Sequence, residues 1–177
     1  MKLSKKQANR YARQIILSEI GEEGQKKLIN AKVLVIGLGG LGSSCAIYLG
    51  AAGVGNLGIL DFDKVGLDNL HRQVIHSEKY INHQKTESAK DRISQINSDV
   101  KVIDYRKKLT PENAVDLISN YDIIADCTEN LGIYFSPVAL YFASKNFFWN
   151  RCKKRTQKGR EIKRKITSLR LKVQKRG

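Results

Sequence analysis

Short apolar runs alternate along the chain with longer segments in which apolar side chains recur every three or four residues. Continuous apolar runs rich in β-branched residues are typical of strands buried on both faces of a parallel sheet, whereas the longer recurrence is typical of amphipathic helices. Strands are predicted at residues 31–36, 57–60, 100–105, 121–125 and 147–149. Helices are predicted at residues 5–17, 22–30, 43–52, 84–97 and 130–144, and another begins at Pro111.

The alternation of strands and helices predicts an α/β domain over residues 1–150. Such alternation produces a parallel sheet covered by helices on both faces, which is a Rossmann-like arrangement. Residues 151–177 differ in kind and are expected to form a separate basic tail, either disordered or a solvated helix.

A glycine-rich turn, GLGGLG at residues 37–42, lies between the first strand of this sheet and the next helix. Its glycines, Gly37, Gly39, Gly40 and Gly42, allow the backbone to approach a phosphate, and the helix N-terminus adds free N–H groups. Asp61 follows at the end of the second strand, where a carboxylate can bind ribose hydroxyls. The pattern indicates a nucleotide site but does not by itself distinguish ATP from a dinucleotide, and a turn without ligand is the alternative.

Three further features favour ATP over a nicotinamide cofactor. The segment DNLHRQ at residues 68–73 puts polar donors beyond Asp61, and Lys85 at a helix start can act as a mobile charge for phosphates. Asp126 ends the fourth strand, where a carboxylate can hold Mg²⁺. Each has a structural alternative: Arg72 in a surface ion pair, Lys85 as a solvated helix residue, and Asp126 as a helix cap.

Positive charge is concentrated at the C-terminal end of the chain. The 177 residues carry a net charge of +15, but residues 151–177 contain 13 of the 32 Lys and Arg residues and a single acid. Three interpretations of this tail stay open: out-of-frame or degenerate sequence after a truncating mutation, a solvated extension without a partner, or a nucleic-acid-binding tail. Interleaved aromatic residues for base stacking are missing from it, which makes a nucleic-acid partner the weaker expectation.

The spacing of the cysteines and the hydropathy of the chain argue against several other classes of protein. Cys45, Cys127 and Cys152 are widely spaced and form no CxxC pair, so neither a disulfide framework nor a zinc site is expected from this chain. No apolar run is long enough to span a membrane, and the N-terminus lacks a secretory signal. The expected location is the cytoplasm, or the plastid stroma if the gene belongs to an organelle, since frequent Lys, Ile and Asn suggest an AT-rich genome.

Five segments, in order, resemble the bacterial-type ubiquitin-activating superfamily, the ThiF/MoeB-like proteins. They are RYARQIIL (10–17), VLVIGLGGLGSS (33–44), AAGVGNLGILDFDKVGLDNLHRQ (51–73), QKTESAKDRISQIN (84–97) and DCTEN (126–130). The resemblance is strongest to molybdopterin-synthase adenylyltransferase and the thiamine-pathway adenylyltransferase. It implies an ATP-binding variant of the Rossmann domain, usually a homodimer, that uses ATP and Mg²⁺ to adenylate the C-terminal glycine of a ubiquitin-like sulfur-carrier protein.

The resemblance also implies roles for individual residues. The residues expected to hold the nucleotide, with Asp61 on the ribose and Lys85 on phosphate, are Gly37, Gly39, Gly40, Gly42, Asp61, Asp68, Asn69, Leu70, His71, Arg72, Lys85, Glu129 and Asn130. Asp126 matches a metal-associated acid. Arg13 matches an arginine that reaches into the partner subunit's site, so Arg13, Arg72 and Lys85 are the expected catalytic cations.

Two departures from the family pattern affect what can be carried over. Glu129 stands where the family has Asp, and the family pattern fades after Asn130. Family members continue further, with the carrier groove, a crossover loop and zinc-binding CxxC pairs, so the chain is expected to be truncated, with an incomplete C-terminal half. A non-catalytic remnant or dimerising scaffold, and an NAD-dependent oxidoreductase, remain as alternatives.

Overall fold

The computed structural model describes residues 2–128, whose four strands form a parallel sheet. The strands are β1 (Lys32–Ile36), β2 (Asn56–Leu60), β3 (Lys101–Tyr105) and β4 (Ile123–Asp126). Their order across the sheet is β3-β2-β1-β4, with Val35 of β1 opposite Ile59 on one side and Ala125 on the other. All four predicted strands within the described range are therefore confirmed, with small differences at their ends.

The strand order reverses between β1 and β4. The chain builds β1, β2 and β3 outward in one direction, and then crosses back to place β4 on the free side of β1. Ligands of open α/β sheets bind beyond the carboxyl ends of the strands at such a reversal. The topology therefore marks the segments that follow β1 and β4 as the walls of the site.

Helices cover both faces of the sheet, as the sequence predicts. They are α1 (Lys5–Arg10), α2 (Ala12–Ile15), α3 (Gly21–Asn30), α4 (Gly40–Ala52), α5 (Lys85–Ile96) and α6 (Pro111–Ile118). Short 3₁₀ turns, Leu67–Asn69 and Glu78–Tyr80, interrupt the long connection between β2 and α5. The helix that starts at Pro111 also has a capping box formed by Thr110 and Asn113.

Alternate residues of the strands pack into two separate hydrophobic cores, one on each face of the sheet. Val33, Val35, Leu57 and Ile59 pack with residues of α4 and α5, including Ala46 and Ile93. On the other face Leu34, Ile36, Leu60 and Ile124 pack with residues of α6, including Ala114 and Ile118. Because side chains of a strand alternate between its two faces, each apolar run serves both layers.

The N-terminal helix predicted over residues 5–17 is confirmed in part, because it forms as two short helices, α1 and α2. The helix breaks at Tyr11, whose ring is buried and whose hydroxyl accepts a 2.9 Å hydrogen bond from the Asn97 amide. The ring also packs against Gly53, where an added Cβ would lie 2.5 Å from the Tyr11 ring and hydroxyl. The spacing of apolar residues within this segment does not reveal the contact with Asn97, which lies 86 positions away.

Other predicted features differ in extent or lie outside the described residues. The helix expected from residue 43 begins three residues earlier, at Gly40, so the second half of the glycine turn is the first turn of α4. The predicted helix at 130–144, the predicted strand at 147–149 and the basic tail lie outside the described range. Within residues 2–128, no helix is both long and apolar enough to cross a membrane.

Candidate functional site

An open cleft of about 1040 Å³ lies at the carboxyl ends of the strands, at the reversal between β1 and β4. This volume is slightly above the roughly 300–1,000 Å³ of typical ligand sites. Its walls come from the ends of β1, β2 and β4 and from the connections that follow them. Among its lining residues are Ile36, Gly37, Gly39, Gly40, Leu60, Asp61, Asp63, Asn69, Arg72, Gln73, Lys85, Lys108, Cys127 and Thr128.

The glycine turn forms the part of the wall that connects β1 to α4. Gly37 has a φ of +86°, which an L side chain rarely adopts, and its N–H donates to the Leu60 carbonyl at 2.8 Å. Gly39 and Gly40 line the cleft, and the first N–H groups of α4 have no acceptor inside the helix. The turn therefore presents backbone donors and a helix N-terminus to the cleft.

Gly42 has a different role from the other glycines. It is buried inside α4 and does not line the cleft; a Cβ there would lie 1.7 Å from the Gly37 carbonyl oxygen. Gly42 therefore has a packing role, since a hydrogen at this position lets α4 lie close to the turn, while its nucleotide contact stays a prediction.

Asp61 joins the end of β2 to the glycine turn. One carboxylate oxygen accepts the Leu38 N–H at 2.7 Å, and the other accepts the Asp63 N–H at 2.8 Å. The side chain is largely buried yet lines the cleft. A carboxylate has about four acceptor positions, so two remain for hydroxyl donors after these backbone contacts. Asp61 is therefore held in a fixed orientation at the cleft edge.

His76, which the sequence interpretation did not identify, lies behind the same turn. It is buried, with Nε2 at 3.2 Å from the Leu38 carbonyl and Nδ1 at 3.1 Å from the Ser88 hydroxyl of α5. Burial lowers its pKa, and the nearby Lys85 charge acts in the same direction; the Leu38 carbonyl and Asp61 oppose them. The motif NLHRQVIH shows an additional histidine, but its two partners are remote in sequence.

Four cations and two acids line the cleft. Lys85 is buried, and its ammonium lies 3.1 Å from the Asp63 carboxylate, which is half exposed. Arg72 is exposed and donates to the Asp68 carbonyl at 2.9 Å, so its guanidinium keeps further donors. Lys64 and Lys108 are the other two cations. The excess of positive charge fits an anionic ligand such as a polyphosphate.

The segment after Asp61 is only partly brought to the cleft. Asn69 and Arg72 line it, whereas Asp68, Leu70 and His71 do not. His71 instead lies beside Arg72, with 3.4 Å between its Nε2 and an arginine nitrogen. Gln73, which was not assigned a role, lines the cleft with its side chain buried, and its Oε1 has no hydrogen-bond partner among residues 2–128. A buried amide oxygen without a partner is suited to receive a ligand donor or cation.

Arg13 lies apart from this cleft. It belongs to α2, is exposed, and is not among the lining residues. Ile16 and Leu17, which follow it, are 75% and 50% exposed. Its guanidinium is therefore available at the surface, together with adjoining apolar side chains.

The predicted acidic site at the end of β4 is incomplete within the described residues. One oxygen of Asp126 accepts both the N–H and the hydroxyl of Thr128, at 3.0 and 2.9 Å. Across residues 2–128, no cluster of three or more His, Cys, Asp or Glu side chains is arranged to hold a metal ion. Glu129 and Asn130, the rest of the predicted site, lie outside the described range.

The sequence model of the ThiF family matches residues 11–149. The chain belongs to the ThiF family. This match includes Asp61, Lys85 and the glycine turn, which contribute to the cleft wall, and it also includes the DCTEN segment. The family resemblance inferred from the five motifs is thereby confirmed.

Relatives agree with this assignment over most of the chain. The chain is 51% identical to adenylyltransferase and sulfurtransferase MOCS3-1 of Zea mays, in a match that covers 69% of this chain and 26% of the relative. The probable adenylyltransferase/sulfurtransferase MoeZ of Mycobacterium tuberculosis is 46% identical over 83% of this chain and 38% of the relative. The chain thus spans well under half the length of these curated relatives.

A solved structure supports the fold. The tRNA N6-threonylcarbamoyladenosine dehydratase TcdA of E. coli, solved in complex with ATP, matches with a TM-score of 0.75 at 25% identity. The match covers 84% of this chain and 60% of TcdA. The predicted α/β, Rossmann-like sheet is confirmed.

Proposed function

We propose that this protein uses ATP to adenylate the C-terminal glycine of a ubiquitin-like sulfur-carrier protein. The observation that carries the proposal is the joint position of Asp61 and the glycine turn at one edge of a cationic cleft. Membership of the ThiF family and the adenylyltransferase names of its relatives support this chemistry.

In this proposal ATP lies across the carboxyl edge of the sheet. Asp61 accepts the ribose hydroxyls, and the phosphates lie against the free N–H groups at the start of α4, as phosphates commonly do at helix N-termini. Arg72 and Lys85 neutralise the phosphate charge, and Lys85 exchanges its ion pair with Asp63 for a phosphate oxygen. The ATP complex of the related TcdA supports the choice of nucleotide.

The proposed reaction is a transfer of adenylate. A glycine carboxylate oxygen forms a bond to the α-phosphorus, the bond from that phosphorus to the bridging oxygen breaks, and pyrophosphate leaves with the electron pair. Arg72, Lys85 and the N–H groups of the turn hold the developing charge, so catalysis is mainly positioning and electrostatic. Mg²⁺, when bound with the phosphates, supplies further neutralising charge, and Asp126 is its proposed protein ligand.

The proposed protein substrate is given as a class of sulfur-carrier proteins. A sulfur carrier of the molybdopterin or thiamine pathway is proposed because the relatives carry the names adenylyltransferase and sulfurtransferase. Adenylation activates a carboxylate for attack by a sulfur nucleophile, which accounts for the pairing of the two activities in one relative.

A homodimer is the proposed working form. Arg13 is exposed and is not among the residues that line the cleft of its own chain. An arginine supplied by the partner subunit explains its place next to the exposed Ile16 and Leu17, whose burial would favour association.

ATP–pyrophosphate exchange tests the reaction. The full chain with a purified sulfur carrier that ends in glycine is expected to return labelled pyrophosphate to ATP, and the same carrier without a C-terminal glycine serves as control. Lys85→Met keeps the buried stem and removes the charge, so the exchange rate should fall roughly 10²–10³-fold. Lys90→Met, on the exposed side of α5 where Lys90 pairs with Asp104, is the matched control.

Mixing two inactive variants tests the shared site. Arg13→Ala and Lys85→Met subunits should each be inactive alone, whereas random mixing should restore about a quarter of the wild-type exchange rate, because half the dimers then contain one intact site. Absence of recovery in a verified mixed dimer would contradict the arginine in trans.

Ligand-binding measurements beside the exchange assay separate the alternatives. A folded protein that binds ATP but exchanges no pyrophosphate is a remnant or scaffold. A protein that takes up NAD and not ATP is an oxidoreductase. Salt-sensitive nucleic-acid binding that disappears on deletion of residues 151–177 would assign the tail to nucleic acid.

A further inference from the structure

Leu38 is the one residue of the glycine turn that is held through both its N–H and its carbonyl. Its N–H donates to Asp61, and its carbonyl accepts from the Ser43 hydroxyl at 3.2 Å and faces His76 Nε2 at the same distance. Its side chain is fully buried in the core. The orientation of the peptide group after Leu38 is thus fixed from the protein interior.

The same peptide group includes the Gly39 N–H, a hydrogen-bond donor that points away from the protein interior. The Leu38 carbonyl and the Gly39 N–H belong to one planar trans unit, and they point in opposite directions. Since the carbonyl points inward to His76 and Ser43, the Gly39 N–H points outward, and Gly39 lines the cleft. No acceptor for this N–H is found within residues 2–128.

Hydrogen-bond chemistry determines which imidazole nitrogen carries the proton. A backbone carbonyl only accepts, so Nε2 of His76 must donate to Leu38. In the neutral ring Nδ1 is then the acceptor, and it receives the hydroxyl proton of Ser88. Ser88 and Leu38 are both buried, so this chain of bonds joins α5 to the glycine turn without water.

We propose that His76 is a positioning residue of the nucleotide site, which acts through the Leu38 carbonyl to aim the Gly39 N–H at a nucleotide phosphate. This inference rests on the proposed binding of ATP. His76 itself touches no ligand, since it is buried and does not line the cleft. The charged groups that act on its ring are Lys85 of α5 and Asp61 at the end of β2, both of which line the same cleft.

Two amide substitutions separate the two imidazole nitrogens. The amide nitrogen of Gln reaches about as far as Nε2, and that of Asn about as far as Nδ1. His76→Gln should therefore still donate to Leu38, whereas His76→Asn should not. We expect the Kd for ATP to stay within about 3-fold in His76→Gln and to rise about 10-fold in His76→Asn, which corresponds to one lost neutral hydrogen bond.

Matched measurements keep this test specific. His83→Asn, at an exposed ring beside Glu87, is the control and should leave the Kd for ATP unchanged. Thermal unfolding establishes that each variant is folded. Equal Kd values for the Gln and Asn variants would overturn the proposal, because a purely structural histidine would not distinguish them.

A second readout is independent of nucleotide binding. Long-range ¹H–¹⁵N spectra of the uniformly ¹⁵N-labelled full chain at neutral pH should show the His76 proton on Nε2, and the Gly39 amide signal should shift in His76→Asn but not in His76→Gln. A proton on Nδ1 would overturn the proposal even if no variant folds. If the wild type takes up no ATP, the proposed function fails, while these spectra still decide the contact with Leu38.

Discussion

Leu38, Asp61 and His76 form a small buried cluster of hydrogen-bonded groups. In our proposal this cluster fixes the orientation of the Gly39 N–H, which faces the cleft. Asp61 combines a structural task, since it accepts the Leu38 and Asp63 N–H groups, with its proposed task at the ribose. Removal of its carboxylate would disturb both at once. Lys85 or Arg72 are therefore cleaner targets for testing nucleotide binding than Asp61.

Protonation of His76 should make stability depend on pH. Burial, helped by the Lys85 charge, lowers the pKa of the folded His76 below its ordinary value of about 6.5. The unfolded chain therefore takes up this proton first on acidification. The contribution to stability is complete above about pH 6.5 and is lost as pH falls through the window between the unfolded and the folded pKa.

Urea unfolding at pH 7.5 and pH 5.5 measures this effect. The wild type is expected to lose more unfolding free energy between these pH values than His76→Gln, in which the titrating group is missing. Equal losses in the two proteins would show that His76 does not titrate differently in the folded state.

At the scale of elements, the contact between α4 and the glycine turn depends on Gly42. A Cβ at Gly42 would collide with the backbone of Gly37, which no side-chain rotation can relieve, whereas a Cβ at Gly39 meets nothing within 4 Å. We expect Gly42→Ala to reduce the unfolding free energy by about 3 kcal/mol or more, and Gly39→Ala to have little effect on it.

Chemical denaturation of the two alanine variants beside the wild type checks this expectation. Their difference isolates the close approach of α4, because both substitutions add one methyl to a glycine of the same turn. Unfolding free energies within about 1 kcal/mol of each other would contradict the assigned packing role of Gly42.

Sequence patterns predicted the elements well where the causes are local. The apolar runs of β1 and β2, the turn between β1 and α4, and the proline start of α6 are each readable from neighbouring residues. The break at Tyr11 and the role of His76 were not predicted, because Asn97 lies 86 positions from one and Leu38 lies 38 positions from the other. Gln73 was missed because its burial in the cleft wall depends on the tertiary fold.

For the whole molecule, the charges of the cleft and of the tail belong to different regions. The described part holds the cleft that we propose binds the nucleotide, while most of the net charge of +15 lies beyond residue 150. The chain also spans only 26% and 38% of the two curated relatives. Nucleotide binding is therefore the step of the proposed function that depends most directly on the residues described.

Calorimetric titration of the full chain with ATP and Mg²⁺, beside NAD, is the most direct test of that step. We expect uptake of about one ATP per chain, no uptake of NAD, and ATP binding at least 10-fold weaker in Lys85→Met than in Lys90→Met, because a buried cation close to the phosphates contributes more than an exposed one. A folded protein that takes up no ATP, or that binds NAD in its place, would contradict this expectation.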